Sequence, residues 1–394
     1  MTSDGTGPVF PRGDLLRIGA VLTLALLVVG SVHFARYDWT GVPLDRAPLT
    51  ATKVVSPACT EKIRPYTTTS GRTISPVVVD EQQYMALVLY YRGVPRSQLQ
   101  LTCLYDPFTF RSGTSWLAHW LPFEEGLALG LTNTVMLVLG LWLMIAALRA
   151  QGFSARTVLV VGAVLAVSWN VLFFGTAVLV DSGVLAAIAL CWYLISVRRP
   201  WFVWPVLLVG YPLKETVGIV VPVLAAWGWA EYRAGRRRLV PALAPAAAAA
   251  VAFVVGVAVW RQVLPAADAA WPVTPDVGNT VHNLTDVISL AAFVVGAGPL
   301  LFPAAVVARS MLRTEGLLRT VLTPEVLGTL LALGICGWSF ITVDLTPRLF
   351  WIGFPFAATL LARWVSTGTR AERLARLRLP AWAPADAVAP SPSS

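Results

Sequence analysis

Long apolar runs alternate with short polar breaks along most of this chain. A helix needs about 20 mostly apolar residues to cross the hydrocarbon core of a bilayer. The pattern therefore predicts an all-α integral membrane protein with about ten transmembrane helices. The predicted spans are 15–35, 126–148, 157–179, 183–197, 201–213, 217–232, 240–263, 285–308, 326–344 and 349–366. The runs 183–197 and 201–213 are short for a full crossing, so we expect them to be tilted or to extend into their flanks.

The first predicted span is separated from the others by a long polar stretch, residues 36–125. Arg12 and Arg17 precede or begin this span, a pattern that a secretory signal peptide shares. The apolar run is long for a signal peptide, and no A-x-A-like cleavage site follows it. We therefore expect an uncleaved anchor, with residues 1–14 as a cytoplasmic N-terminus.

Two apolar runs inside the polar stretch, 84–91 and 116–123, are too short to span a bilayer. Both carry aromatic residues beside charged ones, which predicts short helices lying at the membrane interface. The same stretch contains Cys59 and Cys103. These cysteines could form a disulfide if the stretch faces an oxidising compartment, or they could be two free thiols.

The composition agrees with a membrane protein and excludes several other classes. Hydrophobic residues make up 56% of the chain and charged residues 13%, whereas a soluble domain carries about 25% charged residues. This excludes a disordered chain, a disulfide-rich mini-domain and an ordinary soluble enzyme. The large excess of Arg over Lys and the Ala-rich runs are typical of a GC-rich bacterial genome, which predicts a bacterial plasma-membrane protein.

The basic residues predict the orientation, because short cytoplasmic loops are enriched in Lys and Arg. Alternate breaks between predicted spans are Arg-rich, and the intervening short breaks are Arg-poor. Both termini are therefore expected in the cytoplasm, and residues 36–125 are expected outside. We take 15–366 as one transmembrane domain and 367–394 as a basic, Pro/Ala/Ser-rich cytoplasmic tail. The net charge of +9 thus reflects topology and does not indicate a nucleic-acid partner.

A smaller set of ionisable residues falls on the predicted outer side. Among the carboxylates, Asp80 and Glu81 begin a helix-like segment that continues to Tyr84 and beyond. An Asp at this position can simply cap the helix. Alternatively, Asp80 or Glu81 could act as a general base on an attacking hydroxyl group. Asp181 lies between two apolar runs and could be a turn residue.

The basic members of this outer set could bind a phosphate group. Lys214 and Glu215 lie close to Pro212, which interrupts a helix and exposes backbone groups. A Lys–Glu pair there could be structural, but Lys can also bind phosphate as a point charge. Asp344 and Arg348 bracket another short turn, and Arg348 or Arg111 could bind phosphate through two parallel hydrogen bonds.

Other site types are poorly supported by the sequence. The three histidines are scattered, so no zinc-ligand spacing occurs. No Gly-rich phosphate loop of the Walker or dinucleotide-binding type is present, so chemistry that depends on a nucleotide is not expected. No cofactor is specified. Asp80, Glu81 and Asp181 could supply oxygen ligands to a divalent cation, but no motif requires one.

The order of these features resembles the GT-C class of multi-span glycosyltransferases, including bacterial mannosyl- and arabinosyltransferase-like proteins. The resemblance covers about residues 15–365. It rests on Asp80-Glu-Gln-Gln-Tyr84 in a large outer loop, the segment 105–123 with Arg111, Asp181 beginning a span, Lys214-Glu215-Thr216 after another, and Pro347-Arg348 before Phe354-Pro-Phe356. The sequence departs from the family pattern at its end: the stretch after Pro380 is short and Pro/Ala/Ser-rich, so a large C-terminal periplasmic domain is not expected here.

The resemblance implies a hexosyl- or pentosyltransferase that uses a polyprenyl-phosphate sugar at the extracytoplasmic membrane face. The acceptor would be a glycan, a glycolipid or a protein of the cell envelope. Asp80, with its neighbour Glu81, corresponds to the acidic residue that acts as base or orients the acceptor. Lys214 and Arg348 correspond to residues that bind the lipid phosphate, with Arg111 as a further candidate. The expected supporting residues are Tyr84, Asp181, Glu215 and Asp344.

Two other classes of protein remain open at this point. A transporter or a flippase of lipid-linked sugars would also be a polytopic protein. Many transporters, however, contain two matching halves with broken helices at mid-membrane, and neither an internal repeat nor many mid-span charges are evident here. A non-catalytic envelope assembly protein would also fit the 16 Trp and 16 Phe residues.

Overall fold

A computed structural model describes most of this chain as a bundle of α-helices. The described residues are 12–38, 52–56, 59–62, 66–71, 73–74, 79–101, 103–168, 179–270, 274–342 and 347–366. Asp344, the tail 367–394 and part of the predicted span 157–179 lie outside the described residues. The side chain of Cys59 also lies outside them.

The described helices are α1 (Arg12–Asp38), α2 (Val79–Tyr91), α3 (Gly113–Ala118), α4 (Glu125–Ala150), α5 (Ala155–Ala166), α6 (Asp181–Ser196), α7 (Val203–Gly210), α8 (Val220–Arg233), α9 (Leu239–Val263), α10 (Val277–Thr285), α11 (Val287–Glu315), α12 (Leu317–Val321), α13 (Pro324–Thr342) and α14 (Phe354–Ser366). Short 3₁₀ helices occupy Arg96–Gln98, Pro200–Phe202, Glu215–Ile219 and Pro347–Gly353.

The prediction of a helical protein with several apolar helices is confirmed. In the described part of the chain, five helices are long and apolar enough to cross a membrane: Glu125–Ala150, Leu239–Val263, Leu290–Glu315, Pro324–Thr342 and Arg348–Ser366. The runs predicted as spans 183–197 and 201–213 form helices of 16 and 8 residues. Pro212 follows α7, and the chain turns there before the next helical segment begins.

Small residues let the helices approach one another closely. Gly140 of α4 lies against α6, where an added Cβ would be only 3.4 Å from the Cα of Ala186. On α1, Thr23 accepts a hydrogen bond of 2.9 Å from the indole N–H of Trp142 in α4. Buried side chains from α1 and α4 through α9 join those of α11, α13 and α14 in the main hydrophobic core. The core therefore extends through the bundle, and the first predicted span packs into it.

A second hydrophobic cluster is built around α2. We call it the outer subdomain because the sequence predicts residues 36–125 on the outer side of the membrane. It contains Tyr66, residues 84–89, Leu104 and Phe108, and it extends to Leu179 and Val180. Side chains 84–89 are at most 6% exposed. Residues 84–89 are thus packed inside protein, and the expectation that 84–91 lies at a membrane interface stays a prediction.

The other predicted interfacial segment, 116–123, has a different environment. Trp116, Trp120 and Phe123 have exposed fractions of 47%, 70% and 43%. The side chain of Arg92 donates to the carbonyl oxygens of Leu121 and Phe123 at 2.9 and 2.7 Å, which fixes this segment to the end of α2. Its exposed aromatic rings agree with the interfacial prediction, which stays a prediction.

Three short strand pairs are described; two join neighbouring segments, and the third links the outer subdomain to a distant part of the chain. β1 (Thr52–Ser56) pairs antiparallel with β2 (Cys59–Lys62), and β3 (Tyr66–Thr67) pairs antiparallel with β4 (Thr73–Ile74). β5 (Tyr105–Asp106) pairs parallel with β6 (Ala269–Ala270). Asp268 reinforces this last contact, because its carboxylate accepts from Arg96 at 3.1 Å and from the backbone of Leu104 at 2.9 Å.

The cysteines fall into two groups. Cys103, in the outer subdomain, is disulfide-bonded. Cys191 and Cys336 are free thiols buried within apolar helices. A disulfide at Cys103 agrees with an oxidising environment for this part of the chain.

Glu125 anchors the outer subdomain to the helix bundle. This first residue of α4 is fully buried, and its carboxylate accepts from the backbone and hydroxyl of Thr69, at 3.1 and 2.9 Å. A carboxylate is favourable at this place, because the N-terminal end of a helix carries partial positive charge.

Candidate active site

A network of six charged side chains lies where the outer subdomain meets the helix bundle. We call it the charge cluster; its members are Asp80, Arg111, Asp181, Lys214, Glu215 and Arg348. They come from widely separated parts of the sequence, and three carboxylates balance three cations. Taking charges out of water is costly unless each has a partner of opposite sign. Ion pairs join Asp80, Arg348, Asp181 and Lys214 in a chain, and Arg111 pairs with Glu215 beside it.

Asp80 is positioned by α2, which other parts of the outer subdomain hold in place. Gln83 donates to the carbonyl oxygen of Cys103 at 3.0 Å. Ser115 donates to the carbonyl oxygen of Tyr84 at 3.0 Å, and the ring of Tyr84 packs edge-on against Phe108. Asp80, in the first turn of this helix, is therefore fixed in direction with its side chain 23% exposed.

Arg348 bridges Asp80 and Asp181. Its Nη2 donates to Asp80 Oδ2 at 2.7 Å, and its Nη1 lies 3.6 Å from Asp181 Oδ2. Arg348 belongs to the 3₁₀ segment that leads into α14, whereas Asp181 is the first residue of α6. A single guanidinium thus joins α2, α6 and the start of α14.

Lys214 extends the network on the other side of Asp181. Its ammonium group donates to Asp181 Oδ1 at 2.6 Å, and the two side chains are 12% and 4% exposed. Lys214 has an extended backbone in the break after α7. Gly113 holds this break in place by donating its N–H to the carbonyl oxygen of Pro212 at 2.8 Å. A Cβ at Gly113 would lie 2.9 Å from that oxygen, so a side chain would push the two segments apart.

Arg111 and Glu215 form the remaining pair. Arg111 Nε donates to Glu215 Oε2 at 2.7 Å, and Arg111 Nη2 donates to Glu215 Oε1. This two-point geometry is the one that a guanidinium uses for carboxylate and phosphate alike. Burial alone would raise the pKa of the Glu215 carboxyl. The charge and hydrogen bonds of Arg111, the charge of Lys214 and a backbone hydrogen bond together outweigh burial and hold that pKa below its usual value.

The lowered pKa of Glu215 predicts a pH dependence of stability. A carboxyl group whose pKa is lower in the folded state than in the unfolded state stabilises the fold. This stabilisation is complete above the unfolded-state pKa, about 4.3, and is lost as the pH falls through the folded-state pKa. We therefore expect the melting temperature of the detergent-purified protein to fall with pH below about 4.3, and to fall less steeply in Glu215→Gln. If the melting temperatures of wild type and Glu215→Gln differed by the same amount at every pH from 3 to 7, this assignment would be contradicted.

Tyr84 lies among the charges without joining an ion pair. It is 1% exposed, and the charges that act on its phenol include those of Arg111, Asp80 and Asp181. Burial raises the pKa of Tyr84, so the phenol stays protonated and neutral near pH 7. It therefore adds a dipole to the cluster without changing the charge balance.

The structure brings together seven of the residues singled out from the sequence. These are Asp80, Tyr84, Arg111, Asp181, Lys214, Glu215 and Arg348. Glu81 is also buried, at 3% exposure, but Asp80 is the member of this acidic pair that binds Arg348. The position of Asp344 is not described.

Several groups near the cluster were not predicted from the sequence. The hydroxyls of Thr114 and Thr216 and the indole N–H of Trp351 are buried without a hydrogen-bond partner among the described residues. Thr114 faces Gly183 and Leu213, Thr216 follows Glu215, and Trp351 follows Arg348 by one turn. Such polar groups carry no charge or repeat that would mark them in a sequence, and a bound polar molecule could satisfy them.

The cluster can take part in chemistry that needs both a base and fixed cations. Arg348 binds Asp80 Oδ2, and no donor in the described part of the chain binds Oδ1. Lys214 has three N–H donors and uses one of them for Asp181. The pairs therefore hold the side chains in position and leave part of their hydrogen-bonding capacity for a bound molecule.

The expected cation ligands do not converge on a metal site in the described residues. No group of three or more His, Cys, Asp and Glu side chains there has a metal-binding arrangement. The positive charge between Asp80 and Asp181 is supplied by the guanidinium of Arg348.

A surface cavity of about 480 Å³ lies beyond the other end of α3. It is lined by Thr69, Ser70, Arg92, residues 119–123 and Glu124. The cavity shares no residue with the charge cluster, so the two are distinct.

The fold and the site define a class of protein, a helical protein with several apolar helices and a balanced charge cluster beside a small outer subdomain. Neither a family model nor a curated protein nor a solved structure matches this chain. The function is therefore argued from the cluster itself.

Proposed function

We propose that this protein is a multi-pass glycosyltransferase of the bacterial plasma membrane. It would transfer a sugar from a polyprenyl-phosphate donor to a glycan, lipid or protein acceptor of the cell envelope, on the extracytoplasmic face. The observation that carries this proposal is the ion-pair chain Asp80–Arg348–Asp181–Lys214. A candidate base lies beside two cations at the junction between the apolar helices and the outer subdomain.

In the proposed reaction, an acceptor hydroxyl attacks the anomeric carbon of the donor sugar. A new glycosidic C–O bond forms while the bond between that carbon and the phosphate oxygen breaks. Asp80 takes the hydroxyl proton through its available oxygen. Lys214 and Arg348 stabilise the negative charge on the departing lipid phosphate, and such fixed electrostatic stabilisation is often the largest contribution to catalysis.

The location of the cluster also supports a lipid-linked donor. Its residues lie in or beside segments that flank apolar helices, including the 3₁₀ segment leading into α14 and the break after α7. A phosphate attached to a prenyl chain has to remain near the membrane surface while its sugar reaches the outer subdomain. In the predicted topology the short breaks on the side of the cluster are Arg-poor, which favours an extracytoplasmic location for the cluster.

The proposal is tested by measuring transfer with the purified full-length protein in lipid nanodiscs. Radiolabelled polyprenyl-phosphate hexoses and pentoses are supplied with envelope extract from a deletion strain as acceptor, and nucleotide sugars serve as the control donors. We expect label to appear in one envelope fraction from a polyprenyl-phosphate sugar and none from nucleotide sugars without other enzymes. Absence of transfer, together with an unchanged envelope glycan profile in the deletion strain, would overturn the proposal.

A non-catalytic envelope assembly protein is the second candidate. The observation that favours it is the internal balance of the cluster, since three cations and three carboxylates can serve structure alone. This alternative predicts that an Asp80→Asn strain has a normal envelope and that the protein binds a stable partner. A missing glycan linkage shared by the deletion and Asp80→Asn strains would instead favour the enzyme. Flipping of lipid-linked sugars in liposomes containing only this protein would favour the flippase.

A further inference from the structure

One cation near the cluster, Arg261, was not among the residues predicted from the sequence. It lies in the last turn of α9, and its Nε donates to the phenol oxygen of Tyr211 at 3.1 Å. Its guanidinium carbon lies 5.3 Å from the centroid of the Phe110 ring. The residue is exposed, and its two terminal nitrogens donate to no acceptor among the described residues.

The aromatic side chains beneath Arg261 form a rigid support. Phe110 and Tyr211 are stacked with ring centroids 5.7 Å apart and an interplanar angle of 18°. Tyr211 is 1% exposed and packs edge-on against Phe253. A guanidinium over an aromatic face is attracted by the ring. Arg261 is therefore held in one place, and one edge of its planar guanidinium group is directed away from Tyr211.

The position of Arg261 links it to the charge cluster. Arg111 lies 6.0 Å from the centroid of the same Phe110 ring, so both guanidinium groups lie beside this ring. The carboxylates of Asp106 and Glu215 are close enough to act electrostatically on Arg261. The three cations of the cluster are all bound to carboxylates, whereas the two terminal nitrogens of Arg261 donate to no acceptor among the described residues. An approaching anion would therefore meet Arg261 before it competes for the paired cations.

The remaining surface of α9 is suited to lipid. Val251, Val254, Val255, Val259 and Val263 are each at least 45% exposed, and α9 is one of the helices long and apolar enough to span a membrane. Trp260 turns inward and donates to the carbonyl oxygen of Leu208 at 2.8 Å. Arg261 thus lies where an apolar outer face of the bundle meets the charge cluster.

We propose that Arg261 binds the phosphate of a prenyl-phosphate lipid that approaches the charge cluster along α9. The exposed valines contact the prenyl chain, the guanidinium fork binds the phosphate, and the sugar extends toward Asp80. This inference rests on the proposed function, because it assumes a prenyl-phosphate donor. It adds the side of the bundle from which the donor approaches and a phosphate-binding residue at that position.

The test measures binding without any transfer step. Full-length protein in nanodiscs is titrated by calorimetry with farnesyl phosphate, farnesol and inorganic phosphate. Arg261→Gln should weaken farnesyl phosphate binding by about ten- to a hundredfold, the loss expected for a charge-assisted hydrogen bond. Arg261→Lys, which keeps the charge without the fork, should fall between wild type and Arg261→Gln.

Arg237→Gln is the matched control. Arg237 also stacks on an aromatic ring, at 5.2 Å from Trp227, but it follows α8 in an Arg-rich break. This variant should bind farnesyl phosphate like wild type. Melting temperatures equal to that of wild type would show that both Gln variants are folded, as expected for the exposed Arg261.

Each other outcome has a distinct meaning. If wild type binds farnesyl phosphate and Arg261→Gln binds it equally well, the role of Arg261 is wrong while the proposed function stands. If wild type does not bind farnesyl phosphate, the inference fails, and transfer in the separate assay then decides the proposed function. Equal affinity for inorganic phosphate or for farnesol would overturn recognition of a prenyl phosphate.

Discussion

Replacing Asp80 by asparagine is expected to reduce sugar transfer by about 10²–10⁴-fold, the usual contribution of a general base. Asparagine has the same shape and can still accept a hydrogen bond from Arg348, now 2.7 Å from the carboxylate. It also remains a favourable residue at the start of a helix. The variant should therefore keep its fold while losing the group that accepts the hydroxyl proton.

The measurement is the initial rate of transfer from the polyprenyl-phosphate sugar by purified wild type and variant. Asp276→Asn is the matched control, because Asp276 also begins a helix and its carboxylate accepts from the backbone of Gly278 and Asn279. We expect this control to retain full activity. An Asp80→Asn protein as active as wild type would remove Asp80 from the mechanism.

The largest expected effect on stability comes from breaking a deeply buried ion pair outside the charge cluster. Arg363 of α14 donates to Glu325 at the start of α13, and the two side chains are only 8% and 3% exposed. Arg363 also lies 3.8 Å from the sulfur of Met311 in α11, so it connects three helices. Replacing Arg363 by methionine would leave the Glu325 carboxylate buried without its cation. We expect this to cost about 3–5 kcal/mol of unfolding free energy.

The double variant Arg363→Met/Glu325→Leu separates loss of the pair from loss of packing. Because apolar residues of similar size often replace a buried ion pair at little or no cost, the double variant should recover most of the lost stability. Unfolding in detergent, followed by thermal or denaturant melting, provides the measurement. A single variant as stable as wild type, or a double variant less stable than the single one, would contradict this account.

The apolar pattern predicted the helical class, because continuous apolar runs of helical length need internally paired backbone groups in an apolar environment. It was less reliable at the short runs. The predicted spans 201–213 and 217–232 correspond to an eight-residue α7, a turn, a 3₁₀ segment and α8. Pro212 marked the break, but the sequence did not show that Lys214 there would pair with Asp181, which begins another helix.

The sequence did not predict that protein would bury residues 84–89. Aromatic residues beside charges favour an interface when a helix lies alone on a membrane. Here Tyr66, Phe108 and Leu179 join α2 in one hydrophobic core, in which Tyr84 is only 1% exposed. Local composition does not report which distant segments pack around a short helix.

The sequence by itself determined the kinds of groups available: apolar helices, Arg-rich breaks and a minority of acidic and basic residues beside the apolar runs. It also identified Asp80, Asp181, Lys214 and Arg348 as candidates, because charges next to apolar helices are costly to bury. Only the tertiary structure decided their partners. Ion pairing depends on distances of a few ångströms between residues far apart in the chain, and the packing of the bundle sets those distances. For the same reason, only the structure placed Arg261 beside Phe110 and the charge cluster.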